Sequence, residues 1–390
     1  MKLLLLCNFY SGYVIQLWER LKEYHPEMRI SLLTTESGSD RYRRELSLLE
    51  DEYIYVGPDG LYSTIPKYYE ILKKMPHFDV IQPLWIEKKW GLLAATIKSK
   101  TDNIYISVGG SDLYRQAKKK WPRLLQKRLI KRAAVVSSEN SATRNEFYAT
   151  YGDWTRSIPH FVVRFGVDII DSIIKQEQID LDYIKNKWGV KLGKTVITLG
   201  YSGSAAHRHQ DMIKAIGRMP REVIDQCFFI IPMTYGVSDP EYRNLVEKSI
   251  KSISSDYAIL DDYLSTDEMA EIIMISDIMI HMQTTDQLSS TMMAHLYNGN
   301  VVIAGSWLPY SDIKENGIKI TDVDDFESLT QILSDVVLNI DKKKDECCCN
   351  KERVYEFSSW ECCVKKWYGI YDGLINNTIR NEEKRIDNTV

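Results

Sequence analysis

The sequence predicts an α/β protein built of two tandem doubly wound domains. Three observations predict it. Short apolar runs alternate along the chain with longer stretches of helical periodicity, the pattern of βαβ units around a mainly parallel sheet. The alternation stops near Asp168 and restarts near Thr195. The length, 390 residues, is two to three times the roughly 150 expected of one domain.

Element by element, Lys2–Cys7 reads as a buried strand and Val14–Tyr24 as a helix, with Val14, Leu17, Trp18 and Leu21 on one face. Strands follow at Arg29–Thr34, Tyr53–Val56, Asp79–Gln82, Asn103–Val108 and Ala133–Ser137, with helices at Pro66–Met75 and Leu92–Lys100. Residues 168–194 are polar and lack strand signal, which predicts a linker. The second unit then has strands at Thr195–Leu199, Cys227–Pro232, Tyr257–Leu260, Asp277–His281, Val301–Ala304 and Gly317–Ile320. Its helices are Met212–Gly217, Tyr242–Ile253, Thr266–Ile275 and Ser289–Asn298. The expected domains are therefore 1–167 and 195–357, with a terminal helical segment, 358–390, packing back toward the first domain. In two such domains a cleft between two sets of strand C-termini is where ligands are expected.

Composition narrows the function. The chain is 44% hydrophobic and 27% charged with a formal net charge of -4, which excludes a disordered chain and gives no global basic excess for nucleic acid. The first apolar run is shorter than a signal-peptide core of about 7–15 residues, and nothing approaches the ~18–20 of a membrane span. A cytoplasmic protein is expected, its seven cysteines reduced and no metal bound, since two paired Cys-x2-Cys elements are absent. There is no Gly-x-Gly-x-x-Gly, so no dinucleotide fingerprint.

The loop Gly200-Tyr201-Ser202-Gly203-Ser204-Ala205-Ala206-His207-Arg208-His209 follows a strand and precedes a helix. A small-residue loop ending in a cation flanked by imidazoles suits a diphosphate. Arg208 is the expected cation, His207 or His209 assists, and Gly203 and Ser204 allow close approach. Ser289 and Ser290 start a later helix and either cap it or meet a phosphate at its positive end. Asp286, just before them, accepts hydrogen bonds from sugar hydroxyls or serves that helix as an N-terminal acid. Asn8, Ser11 and Gly12 follow the first strand, and Gly110 and Asp112 the strand ending at Val108. These are candidate acceptor residues, with helix capping the other reading of Asp112. Trp307 and Tyr310 follow a buried strand and either border a cleft or pack inside.

The stretch from Arg115 to Arg132 carries nine cations and no acid, interleaved with Trp121, Leu124, Leu125, Leu129 and Ile130. Lys118, Lys119, Lys120, Trp121, Arg123, Lys127 and Arg128 are the expected contact with an anionic membrane leaflet; a half-buried helix with a solvated face is the other reading.

The order of these motifs resembles nucleotide-sugar glycosyltransferases with two Rossmann-like domains, the GT-B architecture. Val80–Gln82, Val108–Tyr114, Arg164–Asp168 and the run from Asp286 to Ile303 carry the resemblance. It is similar to retaining family 4, in which two glutamates stand eight positions apart before a glycine. With that glycine on Gly299, they fall on Asp286 and Ala294, with His295 beside the lost acid that would hold the donor ribose. The family's histidine before the Gly-x-Asp element is replaced by Gly109. Gly110-Ser111-Asp112-Leu113-Tyr114, Tyr201-Ser202-Gly203 and Ile231–Gly236 also resemble the family that transfers 4-acetamido-4,6-dideoxygalactose to a lipid-linked oligosaccharide.

The resemblance implies a metal-independent hexosyltransferase of surface-polysaccharide assembly (capsule, O-antigen or exopolysaccharide). It would act with retention, passing a sugar from a nucleoside diphosphate to a saccharide or lipid-linked saccharide at the inner face of the membrane. A nucleotide-sugar 2-epimerase of the same fold and a non-catalytic partner subunit are the alternatives.

Overall fold

In the computed structural model, residues 1–7, 12–35, 53–56, 61–236 and 239–379 are described. They form two compact units. One comprises Met1–Gly166 with the described residues from Trp360 on; the other is Val167–Ser359.

The first unit is built on seven parallel strands: β1 (Lys2–Leu6), β2 (Arg29–Thr35), β3 (Tyr53–Val56), β4 (Val80–Pro83), β5 (Tyr105–Val108), β6 (Val135–Ser138) and β7 (His160–Val162). They pair as β3-β2-β1-β4 and β5-β6-β7, joined through single bridges from Ile81 to Ile104 and Leu84 to Ser107. Strand β1, between β2 and β4, is a run of leucines because both its faces are covered by helices; Leu3, Leu4, Leu5 and Leu6 are all fully buried. The helix Trp360–Ile375 belongs to this unit. Its Trp360, Val364, Trp367 and Tyr371 face the same core as Leu3, Leu5 and Val80. Tyr371 Oη donates to Gln82 Oε1 at 2.5 Å.

The second unit repeats the plan. Its strands are β8 (Thr195–Leu199), β9 (Cys227–Pro232), β10 (Tyr257–Leu260), β11 (Ile278–His281), β12 (Val301–Gly305) and β13 (Thr321–Val323). All are parallel, in the order β10-β9-β8-β11-β12-β13. In both units, therefore, the strand order reverses beside the first strand, between β1 and β4 and between β8 and β11. Loops diverge there, and open parallel sheets in general bind ligands at such an edge.

Several expected boundaries move. The expected linker, 168–194, instead holds two helices of the second unit, Asp168–Gln176 and Leu181–Lys187. Ile169, Ile170, Ile173 and Ile184 bury against the helix Thr266–Ile275 in one core. A short apolar stripe at helical spacing suffices there, although the flanks are strongly polar. The strand expected at Gly317–Ile320 falls at Thr321–Val323, because Gly317 turns the chain with φ 74°. The helix expected at Leu92–Lys100 is two short helices, Lys88–Leu92 and Ala94–Lys98. Strand β7, His160–Val162, carries no apolar run long enough to announce itself.

Candidate functional site

In the second unit the reversal edge is formed by the loops after β8, β11 and β12. Gly200 leaves β8 with φ 65°, its N–H donating to Ile280 O at 3.0 Å. A Cβ at this position would stand 2.9 Å from His207 Nδ1 and 3.3 Å from His209 Nε2. Glycine is thus required twice over, for the backbone and for the imidazoles packed beneath it. Ser204 Oγ caps the turn Ala205–His207 by accepting from Ala206 N at 3.3 Å.

Arg208 then takes a left-handed conformation, φ 61° and ψ 38°, and opens the helix His209–Ile216. For a residue with a Cβ this costs on the order of 1–3 kcal/mol and is characteristic of functional loops. The guanidinium lies over the Phe326 ring, 4.2 Å from its centroid, and 6.0 Å from that of Trp307. Arg208 Nε donates to Asp211 Oδ2 at 3.2 Å, and about a third of the side chain remains exposed. The cation is therefore oriented by a flat aromatic and one carboxylate while still reaching solvent.

The loop after β11 is tied to this one. Thr284 N donates to Ala206 O at 3.0 Å and Gln283 Nε2 to Tyr201 Oη at 3.2 Å. Trp307 Nε1, from the loop after β12, donates to Gln283 O at 2.8 Å. Asp286 is nearly enclosed. Its Oδ2 accepts from Tyr310 Oη at 2.5 Å and lies 3.4 Å from His281 Nε2. Burial by itself pushes this carboxyl up, but His281, Tyr310 and the Gln287 N–H outweigh it and hold Asp286 below the usual carboxylate range. It is an ionised acceptor set among imidazoles and a tyrosine hydroxyl.

The structure corrects several expected contacts. His207, His209 and His295 are fully buried, so these rings lie beneath the surface of this edge and not on it, where donor contacts were expected. Desolvation first, helped by neighbouring imidazoles, lowers His207 to about 3; burial lowers His209 to about 4 and, with His281, His295 to about 3. His295 Nδ1 instead meets Asn300 Nδ2 at 2.8 Å. Gly203 is buried too, its N–H donating to Tyr235 O at 2.7 Å. Ser289 caps the helix Ser290–Tyr297, accepting from Met292 N at 3.1 Å. Arg208, Ser204, Asp286 and Ser290 remain at or near the surface of this edge. Sequence reasoning missed His281 and Gln283, which no motif flags, gave Tyr201 no role although it stands in the loop from Gly200 to His209, and left Tyr310 undecided.

In the first unit, Asn8 and Ser11 lie outside the described residues, and Gly12 begins the helix Gly12–Tyr24. Asp112, expected near an acceptor, is fully buried. Its carboxylate accepts from Ile86 N at 2.6 Å, Leu113 N at 2.9 Å and Gly109 N at 3.2 Å. It ties the loops after β4 and β5 together, and burial raises it to about 7. Gly110 is half-buried at the same loop. Beside it, Trp85 has φ 74°, and a Cβ on Gly109 would collide with its ring at 1.9 Å. Trp85, Ser107, Gly109, Ser138, Glu139 and Phe165 line a crevice at this edge.

The basic segment divides into a wide turn, Asp112–Gln116, and the helix Lys120–Ile130. Gln126, Leu129 and Ile130 face the core, whereas Trp121 is 74% and Leu124 51% exposed. Lys118, Lys119, Lys120 and Arg128 are exposed, and Arg123 and Lys127 half-exposed. No helix among the described residues is long and apolar enough to cross a membrane.

No protein-family model and no curated protein matches the sequence. Solved structures do. HepE from Anabaena, in complex with UDP, superposes with a TM-score of 0.73 at 13% identity, over 96% of this chain and 100% of that one. A glycosyltransferase from Rickettsia africae gives 0.72 at 15% identity, over 96% and 99%. UDP-GlcNAc 2-epimerase from Neisseria meningitidis gives 0.64 at 11% identity, over 95% and 99%. The chain thus has the GT-B fold of two Rossmann-like units.

Proposed function

We propose that the protein is a glycosyltransferase that takes a sugar from a nucleoside-diphosphate donor held on the second unit. The observation that carries this reading is a strained, partly exposed cation, Arg208, on the same strand-order-reversal edge as an ionised, nearly buried carboxylate, Asp286. Departure of a nucleoside diphosphate leaves negative charge on its β-phosphate, and a fixed guanidinium stabilises that charge without a metal. Asp286 accepts hydrogen bonds from the sugar hydroxyls. Likeness of fold to HepE, solved with UDP-glucose, makes a UDP-hexose the first donor to try. In this reading transfer retains configuration, with the leaving phosphate as base.

The acceptor in this proposal is a lipid-linked saccharide of surface-polysaccharide assembly, met at the inner membrane face. Support comes from the helix Lys120–Ile130, where exposed Trp121 and Leu124 stand among exposed cations. An indole and a leucine side chain enter an interface while each lysine or arginine contributes about 1 kcal/mol against anionic lipid.

Incubation with UDP-glucose, read by proton and phosphorus NMR, tests the function. A transferase releases UDP, slowly to water and faster to a saccharide acceptor. A 2-epimerase yields a changed nucleotide sugar with no UDP, and a non-catalytic subunit yields neither; both results contradict the proposal.

A further inference from the structure

Asp286 is flanked by His281, five residues before it, and by Tyr310, 24 residues after it, which its sequence neighbourhood does not contain. Tyr310 is 1% exposed and packs in the same core as Met292, Ala294 and Leu308. Phenylalanine would fill that space equally well, yet the hydroxyl stands 2.5 Å from Asp286 Oδ2. His281, the last residue of β11, presents Nε2 to the same oxygen at 3.4 Å. The three rings form a file: Tyr201 and His281 are stacked at 5.7 Å and 20°, His281 and Tyr310 at 6.1 Å and 25°. Each ring comes from a different loop or strand end, so the file fixes three chain segments around one carboxylate. A buried carboxylate without donors would be expelled or protonated.

We propose that Tyr310 is a positioning residue for Asp286. Its hydroxyl fixes one carboxylate oxygen, beside the His281 imidazole, so that the carboxyl meets donor-sugar hydroxyls already oriented. The proposal rests on the donor-site reading above. The groups facing Asp286 are His281 from β11, Tyr310 from the loop after β12 and His207 from the loop after β8, with Tyr201 facing Tyr310 and His295 facing His281.

Tyr310→Phe keeps the ring and removes only the donor. UDP affinity stays within about twofold of the parent. UDP release from UDP-glucose falls about tenfold or more, the scale of a hydrogen bond to a charged group. The acid limb of kcat against pH moves to higher pH, because Asp286 protonates more readily without its donor. Placed on an Asp286→Asn background, Tyr310→Phe adds no further loss. A parental rate and acid limb, or a full additional loss on that background, overturns the proposal.

A readout that needs no turnover separates this claim from the donor-site reading. The carbon-13 carboxyl resonance of Asp286, assigned by its absence in Asp286→Asn, titrates at higher pH in Tyr310→Phe than in the parent. An unchanged titration overturns the role of Tyr310. A parent protein that turns over no UDP-glucose overturns the transferase reading, while the titration still decides whether Tyr310 governs Asp286.

Discussion

The two units share a strand order but treat its reversal point differently. In the second unit the edge between β8 and β11 is underlaid by buried imidazoles, His207, His209, His281 and His295, with tyrosines between them. In the first unit the loops after β4 and β5 are tied by one buried carboxylate, Asp112, and flanked by Trp85 and a serine-lined crevice. Beneath one edge burial keeps His207, His209 and His295 neutral near pH 7, while the other edge is tied by a single buried acid. The same backbone plan thus sets oppositely titrating groups beneath its two edges, and burial shifts each toward its neutral form.

The largest expected effect follows from that difference. His207, His209 and His295 ionise near 6.5 when unfolded but are lowered to about 3, 4 and 3 in the fold. Below about pH 6.5 the unfolded second unit binds more protons than the folded one. Its stability is therefore full above that pH and is lost as pH falls toward 4. Three such groups give a slope of up to about 4 kcal/mol per pH unit. In the first unit His160, lowered to about 3 by burial and Arg144, acts in the same sense. Asp112, raised from 3.8 to about 7, acts oppositely, since its folded form gains a proton that the unfolded form takes up only near 3.8. The two nearly cancel. Hydrogen exchange at pH 7.5 and 4.5 is expected to show the second unit loosening well before the first; simultaneous loosening would erase the distinction.

A second expected effect is smaller and local. Gly200→Ala forces a Cβ into a left-handed residue and against His207. We expect a loss of about 2 kcal/mol or more in denaturant unfolding of the second unit, with the first unit unaffected. A loss under about 0.5 kcal/mol would mean that the imidazole packing beneath the loop is slack.

The smallest effect on the fold, and the sharpest contrast in surface, concerns the helix Lys120–Ile130. Lys118, Lys119, Lys120 and Arg128 to Glu is expected to abolish sedimentation with anionic vesicles, with unfolding unchanged within about 0.5 kcal/mol. Trp121→Ala weakens binding and leaves a remainder that salt releases, because screening acts on charge over a Debye length of ~8 Å. Parental binding by the charge-reversed protein would return this helix to ordinary solvated surface.

Much of the fold was legible because parallel strands buried on both faces announce themselves as apolar runs, as β1, β9 and β12 do. The helices at 168–187 were hidden because four isoleucines bury a stripe within a strongly polar segment. The candidate site was legible where a loop carries an unusual composition, as from Gly200 to His209. It was illegible where chemistry depends on folding-back. Tyr310 reaches Asp286 from 24 residues away, and nothing local distinguishes that tyrosine from a core residue. Burial was equally invisible: His207 and His209 flank Arg208 in sequence, yet only the arginine reaches the surface.

The account turns on Arg208 as the cation that receives a nucleoside diphosphate. Titration calorimetry of UDP into the parent and into Arg208→Ala tests it most directly, with thermal unfolding of both recorded alongside. The side chain is partly exposed and makes one ion pair, so removing it is expected to leave the unfolding midpoint within a few degrees of the parent. UDP affinity is expected to fall at least about tenfold, the scale of losing a charge-assisted contact to phosphate. An Arg208→Ala protein that folds normally and binds UDP as tightly as the parent would contradict the account.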